Sequence, residues 1–193
     1  MSKKESYFSG EKYNLLAKKL GYRSRAAFKL IQIDDKENII KKNLNIVDLG
    51  CAPGGWSQVA SKKLNGTGSI IAIDILDMPK IKGVKFIKSD LRDFEETKLN
   101  KPIDIVISDI APNISGVGLV DNANMIDLLE IELSIVDKTL VKGGSYLAKC
   151  FQGESLEFLK KEINKRFNFF KRIKPSASRN SSNEIYLLGL DKI

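Results

Sequence analysis

The 193-residue chain contains no histidine. That absence excludes Ser-His, Cys-His and His-metal chemistry, so proton transfer falls to Asp, Glu, Lys, Tyr or water. Only two cysteines occur, Cys51 and Cys150. They make neither a disulfide framework nor a metal-ligand cluster, and read as reduced intracellular thiols; no metal site is expected. No apolar run approaches the length of a membrane-spanning helix. The opening residues, MSKKESYFSGEKYN, lack an apolar signal core. The expectation is one domain without membrane association, monomeric. It would lie in the cytoplasm or, in a eukaryote, in a mitochondrion, plastid or nucleus.

What is present is charge, unevenly placed. Residues 1–42 carry eleven Lys/Arg against five Asp/Glu, and residues 160–179 carry eight against one. The intervening span is net acidic within a total of +8. Two basic ends around an acidic middle suit a polyanion such as nucleic acid, although lysines also serve plain solubility.

Helical patterns cover Glu11–Leu20 and Ser24–Ile40, the second with Ser24 as a candidate N-cap. Short apolar runs follow at Asn45–Leu49, Ser69–Ile75, Val84–Ile87, Ile103–Ser108 and Ser145–Phe151. Helical patterns at Gly55–Leu64, Met125–Leu140 and Ser155–Phe167 alternate with them. This alternation predicts an α/β fold with a mostly parallel sheet covered on both faces. Phe169–Lys174 and Glu184–Leu190, joined by PSASRNSSN, read as a terminal antiparallel hairpin with a flexible loop.

The first strand runs into DLGCAPGGWSQ, Asp48–Gln58. Gly50, Gly54 and Gly55 allow close backbone approach to a ligand, and Pro53 stiffens the turn. Ala52 breaks the G-x-G-x-x-G dinucleotide pattern, and no Gly-Lys-Ser/Thr follows, so the turn matches no phosphate-binding loop. Asp48 precedes the turn. Asp74 ends the second strand, where a carboxylate binds ribose hydroxyls, and Asp90 ends the third, placed for an adenine amino group. Each alone reads as a turn residue or cap. Together they suit an adenosine bearing positive charge, and S-adenosylmethionine has that character. Trp56 reads as core or as a border of the cofactor pocket.

Lys149 inside SYLAKCF needs a reason, because an unpaired buried lysine is costly. Asp109 ends the fourth strand on the same rim. Lys29 and Glu184, taken singly, read as surface charges.

The segments RSRAAFKLIQID, DLGCAPGGWSQ, SDLRD, SDIAPNISG, LAKCF and SRNSSNEIYLLG together resemble the FtsJ-type ribosomal RNA 2'-O-methyltransferase family. The resemblance implies a Rossmann-like, seven-stranded methyltransferase fold. It also implies S-adenosylmethionine as cofactor and a ribose 2'-hydroxyl of ribosomal RNA as substrate, a uridine of the large subunit. The family's Lys-Asp-Lys-Glu tetrad falls on Lys29, Asp109, Lys149 and Glu184, and its cofactor positions on Gly54, Trp56, Asp74, Asp90 and Asp109. Cys51 stands where bacterial members commonly have Ala. Pro53-Gly54-Gly55-Trp56 matches the ribosomal RNA group, whereas transfer RNA members tend to have Pro-Gly-Ser-Trp. A transfer RNA or cap 2'-O-methyltransferase, or a non-catalytic RNA-binding assembly factor, are the alternatives. Lys18, Lys19, Arg23, Arg25, Lys171, Arg172 and Arg179 are the expected phosphate contacts.

Overall fold

The computed structural model describes residues 3–179 and 182–193. Five apolar runs become strands β1 (Asn45–Leu49), β2 (Ser69–Asp74), β3 (Val84–Lys88), β4 (Ile103–Ser108) and β5 (Leu140–Phe151). β6 (Phe167–Ile173) and β7 (Glu184–Lys192) follow. One seven-stranded sheet results, in the order β3-β2-β1-β4-β5-β7-β6. β1 to β5 are parallel, and β7 lies antiparallel between β5 and β6. The chain builds outward from β1 to β3, then returns to place β4 on the other side of β1. That reversal opens a crevice at the carboxyl ends of β1 and β4.

The central strands β1, β2 and β4 are mostly apolar because both of their faces are buried. Val47 and Leu49 share a core with Met125, Leu129 and Leu133 of α4 (Gly118–Thr139) and Leu159 of α5 (Glu154–Asn164). Ile46 shares the opposite core with Leu30 and Ile33 of α2 (Ala26–Glu37) and Val59 and Leu64 of α3 (Gly55–Leu64). α1 (Lys3–Leu20) rests on α2, where Tyr13 meets Phe28 at a ring separation of 5.3 Å.

Several boundaries depart from the sequence expectation. α1 begins at Lys3, not Glu11, and α4 at Gly118, not Met125. The first turns of α4 expose Leu119 and Val120, so no inward apolar stripe marks them. β5 starts at Leu140, and Phe167 opens β6 rather than closing α5. α2 stops at Glu37, where Asn38 turns left-handed at φ 51° and its N–H donates to Asp34 O. Ser24 is not the N-cap of α2. Arg25 holds that position without a side-chain capping bond, and among the described residues the buried Ser24 hydroxyl has no partner. Its Oγ faces α3, where a Cβ on Gly55 would stand 2.4 Å away. In the segment joining β6 to β7, Ala177 is buried against Phe28; Asn180 and Ser181 lie outside the described residues.

Candidate active site

Asp109 and Lys149 emerge together because β4 and β5 are parallel neighbours and end on one rim. Lys149 is 4% exposed. Its Nζ donates to the main-chain carbonyl of Asp109 at 2.6 Å and lies 3.1 Å from Asp109 Oδ1. α2 brings Lys29 to the same place, because burial of Ala27, Leu30 and Ile33 fixes the roll of that helix. Lys29 Nζ is 3.5 Å from Asp109 Oδ1 and 3.2 Å from Glu184 Oε2. Glu184 opens β7 opposite Phe151, and its Oε1 lies 4.0 Å from Lys149 Nζ. Two ammonium groups and two carboxylates thus form an alternating ring. Singly, Lys29 reads as a surface charge; the ring keeps it buried, since both acids compensate its lost hydration.

Burial pushes the Asp109 carboxyl up, but Lys149, Lys29 and the Tyr186 hydroxyl outweigh it and hold the group below its usual range. The Tyr186 hydroxyl donates to Asp109 Oδ1. Burial, then the charges of Asp109 and Glu184, push Tyr186 ionisation well up, so the phenol remains a donor. Sequence reasoning does not single out Tyr186. Its spacing of two from Glu184 on one strand was the available signal, because such residues share a face.

A cavity of about 710 Å³ opens beside the ring. Gly50, Asp74, Asp90 and Asp109 line it, with Ile75, Leu91 and Leu128 as apolar wall. Gly50 has φ 65°, and a Cβ there would stand 2.7 Å from Ile110 Cβ. Asp74 accepts the Ala52 and Leu76 N–H groups, each at 2.8 Å. Asp90 accepts Arg92 N–H at 2.9 Å and caps a short 3-10 turn. Both therefore do hold turns, and each carboxylate keeps further lone pairs for a ligand.

Asp48, Pro53, Gly54, Gly55 and Trp56 are not among the walls of that cavity. Asp48 is 1% exposed and accepts the Ser57 hydroxyl at 2.5 Å. Burial pushes its carboxyl up to about 7, against the pull of that hydrogen bond. Trp56 belongs to the core: its indole N–H donates to Ala26 O at 2.9 Å and its ring lies 5.8 Å from that of Tyr186. It does not border the cavity, because α3 turns its first side chains toward α2. A Cβ on Gly54 would stand 2.8 Å from Arg23 Nη1. The Arg23 guanidinium donates to the carbonyls of Pro53, Pro79 and Lys80 at 3.1, 2.7 and 2.9 Å. Arg23 is therefore spent on the turn and is not an open phosphate contact.

Among the other expected phosphate contacts, Lys18, Lys19, Arg172 and Arg179 are exposed, and Lys171 pairs with Glu37. Burial lowers the Arg25 pKa first, then the charge of Arg179, while Glu184 and Asp109 oppose both. Among the described residues, Arg25 Nη1 and Ser178 Oγ are buried without hydrogen-bond partners.

Glu132, also absent from the sequence reading, sits fully buried under the rim. It accepts the Ser108 hydroxyl at 2.8 Å and the Tyr146 hydroxyl at 2.6 Å, tying the end of β4 to the middle of β5. Burial pushes its carboxyl up to about 7.

Residues 22–192 match the model of a family described as FtsJ-like methyltransferase. The Ribosomal RNA large subunit methyltransferase E of Methylobacillus flagellatus is 48% identical over 182 residues, covering 91% of this chain and 88% of that protein. The protein of the same description from Neisseria gonorrhoeae strain FA 1090 is 44% identical, covering 94% and 91%. A crystal structure from Plasmodium falciparum, provisionally described as a ribosomal RNA methyltransferase, superimposes with a TM-score of 0.80 at 32% identity, covering 89% of this chain and 98% of that one. The chain belongs to the FtsJ-like methyltransferase family.

Proposed function

We propose that this protein methylates a ribose 2'-hydroxyl of large-subunit ribosomal RNA, a uridine, using S-adenosylmethionine. The observation that carries the reading is the Lys29–Asp109–Lys149–Glu184 ring on the rim of a cavity with carboxylates at three strand ends. The names borne by the relatives support large-subunit RNA as the substrate.

The cavity suits the cofactor by its chemistry. Asp74 answers ribose hydroxyls, Asp90 an adenine amino group, and Asp109 the cationic end. When bound, S-adenosylmethionine supplies an activated methyl on a good leaving group. The protein's own residues then have two tasks, alignment and proton removal. Alignment alone lowers a barrier by about 7–11 kcal/mol in favourable cases. Lys149 first releases its own proton to solvent; the free amine then accepts the hydroxyl proton as the oxygen attacks, and Asp109 and Glu184 supply the countercharge to the ammonium formed again. The Asp109 carbonyl fixes the Lys149 amine, while Lys29 and Glu184 hold the ribose. Arg25 and Arg179 take the neighbouring phosphates; the closeness of Arg25 to Arg179, Glu184 and Asp109 supports this.

The deciding experiment offers tritiated methyl donor to large ribosomal subunits lacking the modification and to transfer RNA. Label is expected on a 2'-oxygen of large-subunit RNA. Label on transfer RNA would favour that branch of the superfamily, and no label on any RNA would favour a non-catalytic role.

A further inference from the structure

A second, smaller cavity of about 290 Å³ lies on the far side of Ala111 from the cofactor cavity; Ala111 lines both. Its walls include Ile114, Gly118, Phe151, Asn183 and the tetrad residue Glu184. Resting on the function proposed above, we propose that this cavity receives the base of the nucleotide being methylated, turned out of its stack.

Three observations carry this. The first is position. Phe151 follows Lys149 by two residues on β5, so both project from one face, ~7 Å apart along the strand. Phe151 also faces Glu184 across the ladder. A ribose held at Lys149 and Glu184 has its base within reach of Phe151.

The second is an apolar surface held in the open. Ile114 is 61% and Val117 55% exposed. The turn that presents them is built, not slack. Asp121 accepts the Ser115 N–H and hydroxyl, each at 2.7 Å, and the Gly116 N–H at 3.2 Å. Ser115 Oγ in turn accepts the Val117 N–H at 3.1 Å. Apolar side chains fixed toward solvent beside a reactive centre mark a surface covered when the substrate arrives.

The third is chemistry and size. The cavity is at the small end of ligand clefts, below the cofactor cavity but ample for one ring system. Ile114 and Phe151 present apolar and aromatic surface for a base, and the exposed Asn183 sits at the mouth with donor and acceptor for a base edge. Unstacked bases are commonly read in this way, on aromatic surface with edge hydrogen bonds. The cavity is continuous with the tetrad through Glu184, so base and ribose lie in one path.

Gly118 supplies the test. A Cβ there meets nothing within 4 Å, so a side chain can start at Gly118 without a clash, and Gly118→Phe adds bulk at the cavity wall. Ile114→Ala trims an exposed side chain. On large-subunit RNA that the wild-type protein methylates, Gly118→Phe should lower kcat/KM by about thirty-fold or more. Ile114→Ala should raise KM by about five- to ten-fold. S-adenosylmethionine Kd and Tm should stay at wild-type values in both. A matched RNA lacking the base at the methylated position adds a cycle: base removal should weaken kcat/KM about ten-fold in wild type and under three-fold in Gly118→Phe. Wild-type kinetics in both variants, or equal base dependence in wild type and Gly118→Phe, would overturn the assignment while leaving the proposed reaction standing. No methylation of large-subunit RNA by the wild-type protein would overturn the functional reading and this inference with it.

Discussion

Lys149 is joined to Asp109 twice, through the main-chain carbonyl at 2.6 Å and the carboxylate at 3.1 Å. Only the second contact depends on the Asp109 side chain. The carbonyl aims the amine and the carboxylate balances its charge, so a substitution at position 109 separates the two roles.

Asp109→Ala keeps the carbonyl and removes the charge. Two buried ammonium groups then lose their shared counterion, a loss of about 3–5 kcal/mol in stability. Urea denaturation checks this, and methyl transfer should fall at least ~100-fold in the same protein. Stability within about 1 kcal/mol of wild type would show that the ring is not held by charge.

Asp74→Ala should weaken S-adenosylmethionine binding by roughly ten- to a hundred-fold, the scale of losing hydrogen bonds to a charged acceptor. Calorimetric titration measures it. RNA affinity should not change, because Asp74 lines the cofactor cavity and not the basic ends.

Stability should fall as pH rises from 4.5 toward 7. The Glu132 carboxyl ordinarily titrates at 4.5 and is pushed up to about 7 in the fold. A group with a raised folded pKa stabilises fully below its unfolded pKa and loses that contribution as pH climbs through the folded one. Asp48, raised from 3.8 to about 7, acts in the same sense. Asp109, held below its usual value, acts oppositely, stabilising above that value and losing the effect in acid. Glu132→Gln should shrink the stability difference between pH 5 and pH 7 by about 2 kcal/mol, read from urea titrations at each pH.

RNA affinity should weaken steeply with salt. Arg25→Ala and Arg179→Ala should each reduce the slope of log K against log salt by about 1. Arg23→Ala should leave that slope unchanged and lower Tm instead, since its guanidinium holds three carbonyls of the protein itself. A slope change at Arg23 would return it to the RNA surface.

Much of this was legible from residue order. Apolar runs alternating with helical patterns gave the parallel sheet because burial on both faces forces apolar strands. Lys149 stood out because a lysine amid SYLAKCF needs partners, and the structure supplies Asp109 and Glu184. Trp56 stayed open between core and pocket border because position after a glycine turn says nothing of which way a side chain rolls; its indole N–H goes to the Ala26 carbonyl. Arg23 misled because arginines for RNA and arginines for backbone carbonyls look alike in sequence. Glu132 was hidden among acidic residues on α4, and only the fold brings Ser108 and Tyr146 to it. The start of α4 escaped because its first turns face outward.

The most direct test is Lys149→Ala, measured for methyl transfer to large-subunit RNA and for S-adenosylmethionine binding in one preparation. Transfer should fall by ~10²–10⁴-fold, the contribution of a positioned proton acceptor, while cofactor Kd stays within about three-fold of wild type. Transfer near the wild-type rate would contradict the assignment of the amine.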